Sequence, residues 1–214
     1  DTGPNTGGMG TYSDSDHSLP FLEKSQIESA QKINEATAKA LKHKFGEGYK
    51  GILYGGFIAT NTGVQLIEYN ARFGDPEAMN ILSILDSDLI EICEAIISEN
   101  LKNTKIVFKN LATVCKYAVP EGYPDDPVKG HQIDVSEVKN KNILFYASVE
   151  NKNDNLIQIG SRAIAVVGHG ETIWEAEQIA EDNILKVKGP LFHRKDIGTT
   201  GLIQKKINHM SSLK

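Results

Sequence analysis

Two stretches of this sequence bring together residue types that do chemistry. The first is LIEYNARFGDPE, residues 66–77. Glu68 and Asn70 are two apart, so on a strand their side chains leave the same face, shared with Leu66, while Ile67 and Tyr69 face the other way. A carboxylate beside an amide oxygen is a hard pair suited to Mg²⁺, which takes one or two protein oxygens and fills its shell with water and nucleotide phosphates. Taken alone, Glu-x-Asn reads first as a solvated strand face ending in a turn. Arg72, Asp75 and Glu77 then follow within seven residues of Asn70, around Gly74 and a helix start. Arg is a natural bidentate partner of phosphate or carboxylate. A helix N-terminus offers free N–H groups to an anion. Spacing equally allows a salt bridge from Arg72 to Asp75 or Glu77, but the density of charge beside the Glu-x-Asn strand favours a binding site.

The second stretch is DTGPNTGGMG, residues 1–10. Gly3, Gly7, Gly8 and Gly10 permit positive φ and close backbone approach to a ligand. Successive N–H groups of TGGMG suit an anion-binding nest, and Asn5, Thr6 and Thr11 add neutral hydrogen-bonding groups. The stretch lacks the GKS or GKT of a Walker loop, and alone it reads first as a flexible linker.

The elements that must position these groups follow from periodicity. Residues 1–20 read as an ordered loop. Ser25-Gln-Ile-Glu28 reads as a capping box opening a helix with Ile27, Ala30, Ile33, Thr37, Leu41 and Phe45 on one face, ended by Gly46 and Gly48. Residues 51–60 and 64–70 read as a hairpin turning at Asn61-Thr62-Gly63. Asp75-Pro76-Glu77 reads as a helix start with an acidic N-cap, running to about Leu85, and a second helix begins near Ser87. From about residue 105 the texture changes: 111–119, 143–150 and 156–168 read as strands. Thr172-Ile-Trp-Glu175 opens a further helix to about Val187. The expected fold is α+β, with a domain boundary near Ile106 dividing 1–106 from 107–214.

Composition narrows the function classes. A formal charge of −5 offers no basic face for nucleic acid or an acidic membrane, and no apolar run approaches the roughly 20 residues that span a bilayer. Two cysteines, Cys93 and Cys115, make no disulfide framework and read as small buried apolar residues, which fits a reducing, cytoplasmic setting. Trp174 reads as core. The six histidines show no metal-ligand spacing and read as surface or structural; His169 falls in a loop before the capped helix, and Arg194 and Lys195 read as structural.

DTGPNTGGMG, ILYGGF and IEYNARFGDPE together, with RKDIG at 194–198, closely resemble the glycinamide ribonucleotide synthetase (phosphoribosylamine–glycine ligase) family of ATP-grasp enzymes. The resemblance covers essentially all 214 residues but only the C-terminal half of the usual enzyme. It departs where Ala78 and Met79 follow GDPE and many relatives carry Thr-Gln. It implies the C-terminal portion of an ATP-grasp domain followed by a small α/β C-terminal domain. It implies ATP-dependent ligation of glycine to 5-phosphoribosylamine through glycyl phosphate, giving glycinamide ribonucleotide, ADP and phosphate. Glu68 and Asn70 match the family's Mg²⁺ or Mn²⁺ ligands, and Arg72 would neutralise charge on the transferring group. The loop with Asp1, Asn5, Thr6, Gly7, Gly8 and Met9 would line the phosphoribosylamine and glycine side, its wall completed by Asp75, Pro76 and Glu77. The family's N-terminal half is missing from this sequence, so the chain is expected to be a fragment, inactive alone. Two other readings stay open: another ATP-grasp carboxylate–amine ligase, and a noncatalytic nucleotide-binding module.

Overall fold

The computed structural model describes residues 3, 4 and 6–213. Its elements, in chain order, are β1 (Gly10–Ser13), α1 (Lys24–Phe45), β2 (Tyr54–Thr60), β3 (Gly63–Asn70), α2 (Glu77–Ser83), α3 (Leu89–Ile97), β4 (Ala112–Pro120), β5 (Gln132–Ile133), β6 (Leu144–Tyr146), β7 (Val149–Lys152), β8 (Asn155–Gln158), β9 (Ile164–Gly170), α4 (Ile173–Ile184), β10 (Leu191–Phe192) and α5 (Thr200–Ser212). The fold class is α+β. Two compact units form, neither continuous in sequence. One takes the chain up to Ser18, Asp75–Ile84 and Asn110–Ile203; the other takes Leu19–Gly74, Leu85–Lys109 and Gln204–Lys214.

The first unit is built on an antiparallel sheet ordered β1-β4-β9-β6, with β10 also pairing β4, and carries a second sheet ordered β5-β8-β7. Strand β4 lies between β1 and β9, and all nine of its residues are buried. A strand covered on both faces reads as a near-continuous apolar run rather than an alternation, and ATVCKYAVP is such a run apart from Thr113 and Lys116, which are buried with the rest. Helix α4 lays Ile173, Ala176, Ala180 and Ile184 into this core. It approaches so closely that a Cβ on Gly168 of β9 would lie 1.9 Å from the Ala176 carbonyl oxygen. Thr172 and Glu175 form the expected capping box; the helix ends at Ile184, short of Val187.

The second unit holds the hairpin β2–β3 and helices α1 and α3. Tyr69 of β3 reaches α1, its hydroxyl donating to Asn34 Oδ1 (2.9 Å) and lying 3.1 Å from Thr37 Oγ1. Helix α1 ends as expected on Gly46, in the left-handed conformation at φ 81°. Its start differs from the expectation. The cap is Glu23, two residues before Ser25, and its N–H donates to the Gln26 side chain at 2.9 Å. Gln26 fits the third helical position, but Glu at the cap is outside the Ser/Thr pattern, so the pattern points to Ser25 instead. Helix α3 is capped by Asp88, whose carboxylate accepts from the N–H groups of Ile90 and Glu91.

Other expectations are corrected. The opening 20 residues are not all loop, since Gly10–Ser13 pairs with Ser13↔Thr113 through Gly10↔Lys116. The runs 143–150 and 156–168 each break in two, and β8 and β9 enter different sheets. Helix α5 was not anticipated. Trp174 is exposed rather than core, as is Cys93, because α3 and α4 bury other faces. His169 lies within β9, not in a loop, and its Nε2 is 2.8 Å from Ser83 Oγ. Among the described residues no helix is long and apolar enough to cross a membrane.

Candidate functional site

In the second unit, the hairpin sets Gly56 opposite Glu68 and Tyr54 opposite Asn70. The register slips between Gly56 and Phe57, leaving Ile67 as an extra residue on β3. Such a bulge breaks strict alternation, so the expected shared face of Leu66 with Glu68 does not carry across it. Beyond the bulge the two-residue period holds. Asn70 Nδ2 donates to Glu68 Oε1 at 3.1 Å, so the two side chains stand side by side on one face while Tyr69 turns to α1. Arg72, exposed, donates from Nη1 to the carbonyl of Phe73 at 2.7 Å.

A half-turn of the Asn70 amide sets its oxygen where its nitrogen now lies. Two oxygens about 3 Å apart match neighbouring positions on an ion that binds oxygen at about 2.1 Å. The pair therefore fits a hard divalent cation as a two-point ligand. Among the described residues no group of three or more His, Cys, Asp or Glu could hold a metal, so the remaining positions would fall to phosphate oxygens and water.

In the first unit, the glycine loop runs into β1 with Thr6 and Gly7 exposed and Met9 buried in the core. The Met9 carbonyl accepts the Tyr117 N–H at 2.9 Å, and the Gly7 N–H donates to the Tyr123 hydroxyl at 2.9 Å. The loop is thus pinned to β4 and to the segment after it. Gly8, at φ 92°, sits against the segment 75–76: a Cβ there would lie 2.8 Å from Pro76 Cδ. Asp1 and Asn5 lie outside the described residues.

Asp75 is not the helix cap that its place before Pro suggests. Pro76 occupies the cap position of the short helix α2, and the Asp75 carboxylate is used elsewhere. Its Oδ2 lies 2.5 Å from Arg162 Nη2, and its Oδ1 accepts from the Tyr117 hydroxyl at 3.1 Å. Burial, and then the charge of Asp75, push the Tyr117 phenol above its ordinary range, which keeps it a donor. Pro76 is buried, and Glu77 is half-buried in the first turn of α2. The helix is held on the sheet by polar contacts. Asn80, itself buried, donates to Thr113 Oγ1 at 2.8 Å and to the Thr11 carbonyl at 3.3 Å.

Arg162, Tyr117 and Tyr123 were missed by the sequence reading. Arg162 falls inside the single strand expected over 156–168, yet Gly160-Ser161 before it is a turn signal between two apolar runs. Farther off in this unit, Lys116 of β4 is wholly buried between Glu177 and Glu181, at 2.6 Å from each.

Comparison with known proteins bears on both clusters. The family model for the phosphoribosylglycinamide synthetase ATP-grasp (A) domain matches residues 1–78, and that for the phosphoribosylglycinamide synthetase C domain matches residues 113–200. The phosphoribosylamine–glycine ligase of Methanocaldococcus jannaschii is 54% identical over 217 residues, covering 100% of this chain and 49% of that protein. That of Methanosarcina barkeri is 50% identical over 214 residues, with the same coverage of 100% and 49%. The chain therefore spans about half the length of the curated relatives it matches. Among solved structures, a phosphoribosylamine–glycine ligase from Thermotoga maritima aligns with a TM-score of 0.74 at 30% identity, covering 92% of this chain and 48% of that one.

Proposed function

Since the chain belongs to the phosphoribosylglycinamide synthetase family, we propose that it carries the C-terminal half of a ligase joining glycine to 5-phosphoribosylamine with ATP. The products would be glycinamide ribonucleotide, ADP and phosphate. The observation that carries this reading is the pairing of Glu68 with Asn70 at 3.1 Å on one face of the hairpin, in a chain matched along its length by ligases of that name. The division at residue 106 into an ATP-grasp portion and a C-terminal domain belongs to the same proposal. It is supported by family matches that end at 78 and resume at 113.

The roles divide by chemistry. Glu68 and Asn70 hold Mg²⁺ or Mn²⁺, which when bound supplies positive charge to the outer phosphates of ATP. Arg72 offers a guanidinium to the charge that builds on the transferring phosphoryl group. Thr6, Gly7 and Gly8, with Asp1 and Asn5, present the loop to glycine and phosphoribosylamine, while Met9 anchors it in the core. Asp75, Pro76 and Glu77 form the adjoining wall. No side chain here need act as a nucleophile, because such ligation proceeds by positioning and charge neutralisation. A cytoplasmic setting suits the two unpaired cysteines.

The test is to join this chain in one polypeptide to the N-terminal half of the M. jannaschii ligase. ADP release is then followed with glycine, phosphoribosylamine, ATP and Mg²⁺. Release that requires both substrates supports the ligase. Release with a different amine or acid in their place points to another ATP-grasp ligase. A folded protein that binds nucleotide without turnover supports the noncatalytic reading.

A further inference from the structure

The Arg162 guanidinium gathers acceptors from two separate segments. Its Nη1 faces the carbonyl oxygens of Gly7 (2.8 Å), Gly8 (3.2 Å) and Asp75 (3.4 Å), and its Nη2 meets Asp75 Oδ2 at 2.5 Å. Three carbonyls and a carboxylate converging on one point repel one another unless a cation stands among them, and only a planar fork meets several at once. The fork is held in turn. It lies over the Tyr117 ring, 4.8 Å from its centre, and Tyr117 fixes the other oxygen of Asp75. Gly8 against Pro76 brings the same two segments together by close packing.

The orientation of the loop follows. In a trans peptide the C=O and the next N–H point in opposite directions. With the Gly7 and Gly8 carbonyls turned to Arg162, the N–H groups of Gly8 and Met9 turn away from it. Two successive N–H groups aimed to one side are the start of an anion-binding nest. Both glycine, through its carboxylate, and phosphoribosylamine, through its phosphate, bring such an anion.

We propose that Arg162 is a positioning residue for the ligation: it ties the glycine loop to the Asp75–Pro76 turn and so aims the Gly8 and Met9 N–H groups at the anionic group of a substrate. It acts through the loop, since the bonds from its Nη1 and Nη2 run to oxygens of the loop and of Asp75. This rests on the functional reading above.

The test uses Arg162→Met and Arg162→Lys in the joined full-length protein, with steady-state kinetics and amide exchange. Arg162→Met raises the KM for one of the two substrates about tenfold or more, with the KM for ATP within about twofold. A rise for phosphoribosylamine identifies the phosphate as the anion, and a rise for glycine identifies the carboxylate. The Gly7 amide, which donates to Tyr123, exchanges faster while those of β4 and β9 keep their protection. Arg162→Lys, with one point charge in place of the fork, falls between. If Arg162→Met loses β4 and β9 protection, the same comparison is made on Arg162→Lys. Unchanged substrate KM values in an active protein overturn this role alone, as does unchanged Gly7 exchange. A wild-type joined protein without ligase activity overturns the functional reading and this role with it.

Discussion

Replacing Lys116 with Met tests how a charge is kept inside the first unit. The Lys116 side chain has no exposed surface. Its ammonium lies 2.6 Å from Glu177 and 2.6 Å from Glu181, and it donates to the Lys195 carbonyl at 3.1 Å. Met keeps the volume of an unbranched chain, so the core itself should lose little. The two carboxylates fare differently. Glu181 is 21% exposed and retains His193 at 3.1 Å, whereas the Glu177 side chain is 5% exposed and loses its cation. Leaving one partner of a buried pair uncompensated costs about 3–5 kcal/mol. With an m-value of about 2 kcal/mol/M, the urea midpoint should fall by about 1.5–2.5 M.

The pH dependence sharpens the test. Burial pushes the Glu181 carboxyl up, but hydrogen bonds from Lys116 and His193 outweigh it and hold the group below its ordinary value. A carboxyl lowered on folding stabilises the fold above its unfolded pKa and loses that contribution as pH falls through its folded pKa. Wild type should therefore weaken in acid. In Lys116→Met the hydrogen bond that helps hold the Glu181 carboxyl down is gone while its burial remains, so this contribution shrinks and the gap between the two proteins narrows in acid. Urea unfolding at pH 7 and at about pH 4.5 reads both effects. Adding Glu177→Gln to Lys116→Met should recover much of the loss at pH 7. A deficit below about 1 kcal/mol at pH 7, or one that does not shrink in acid, refutes the reasoning.

Gly168→Ala should cost about 3 kcal/mol or more in a urea titration, because its Cβ would lie 1.9 Å from the Ala176 carbonyl oxygen and α4 must back away from the sheet. A thiol reagent should modify Cys93, which is exposed, at once, and Cys115 only on unfolding, since burial pushes its thiol up and denies access. In the joined protein, Glu68→Ala and Asn70→Ala should each lower kcat about 100-fold or more while leaving the unfolding free energy within about 0.5 kcal/mol of wild type, both residues standing on a single hairpin face.

What the sequence disclosed was chiefly local. The hairpin, the capping box at Thr172 and the glycine that ends α1 depend on residues two to four apart, and such patterns survive translation into structure. The pairing of Glu68 with Asn70 was legible for the same reason. The bulge at Ile67 was not, because it is set by the partner strand. Arg162 was lost between two apolar runs, since nothing local says that β8 and β9 leave for different sheets. Its partners Gly7 and Asp75 are 155 and 87 residues away. Asp75-Pro76-Glu77 spells a capped helix, but a buried tyrosine and an arginine claim the carboxylate that would have capped it. Trp174 shows the limit of composition: a large aromatic on α4 suggests core, yet it is 59% exposed.

The order in which the chain leaves the ribosome gives the loop a further property. Its fixing points, Tyr117, Tyr123 and Arg162, are all translated long after it, and β1 itself waits for β4. Domains ordinarily consolidate from the N-terminal side during synthesis; here the glycine segment emerges before the residues that fix it and is set only after them. A polypeptide broken off anywhere before Arg162 would carry the whole DTGPNTGGMG motif and still lack the clamp on it. Shaping of this loop thus doubles as a check that the unit has been made at least as far as Arg162.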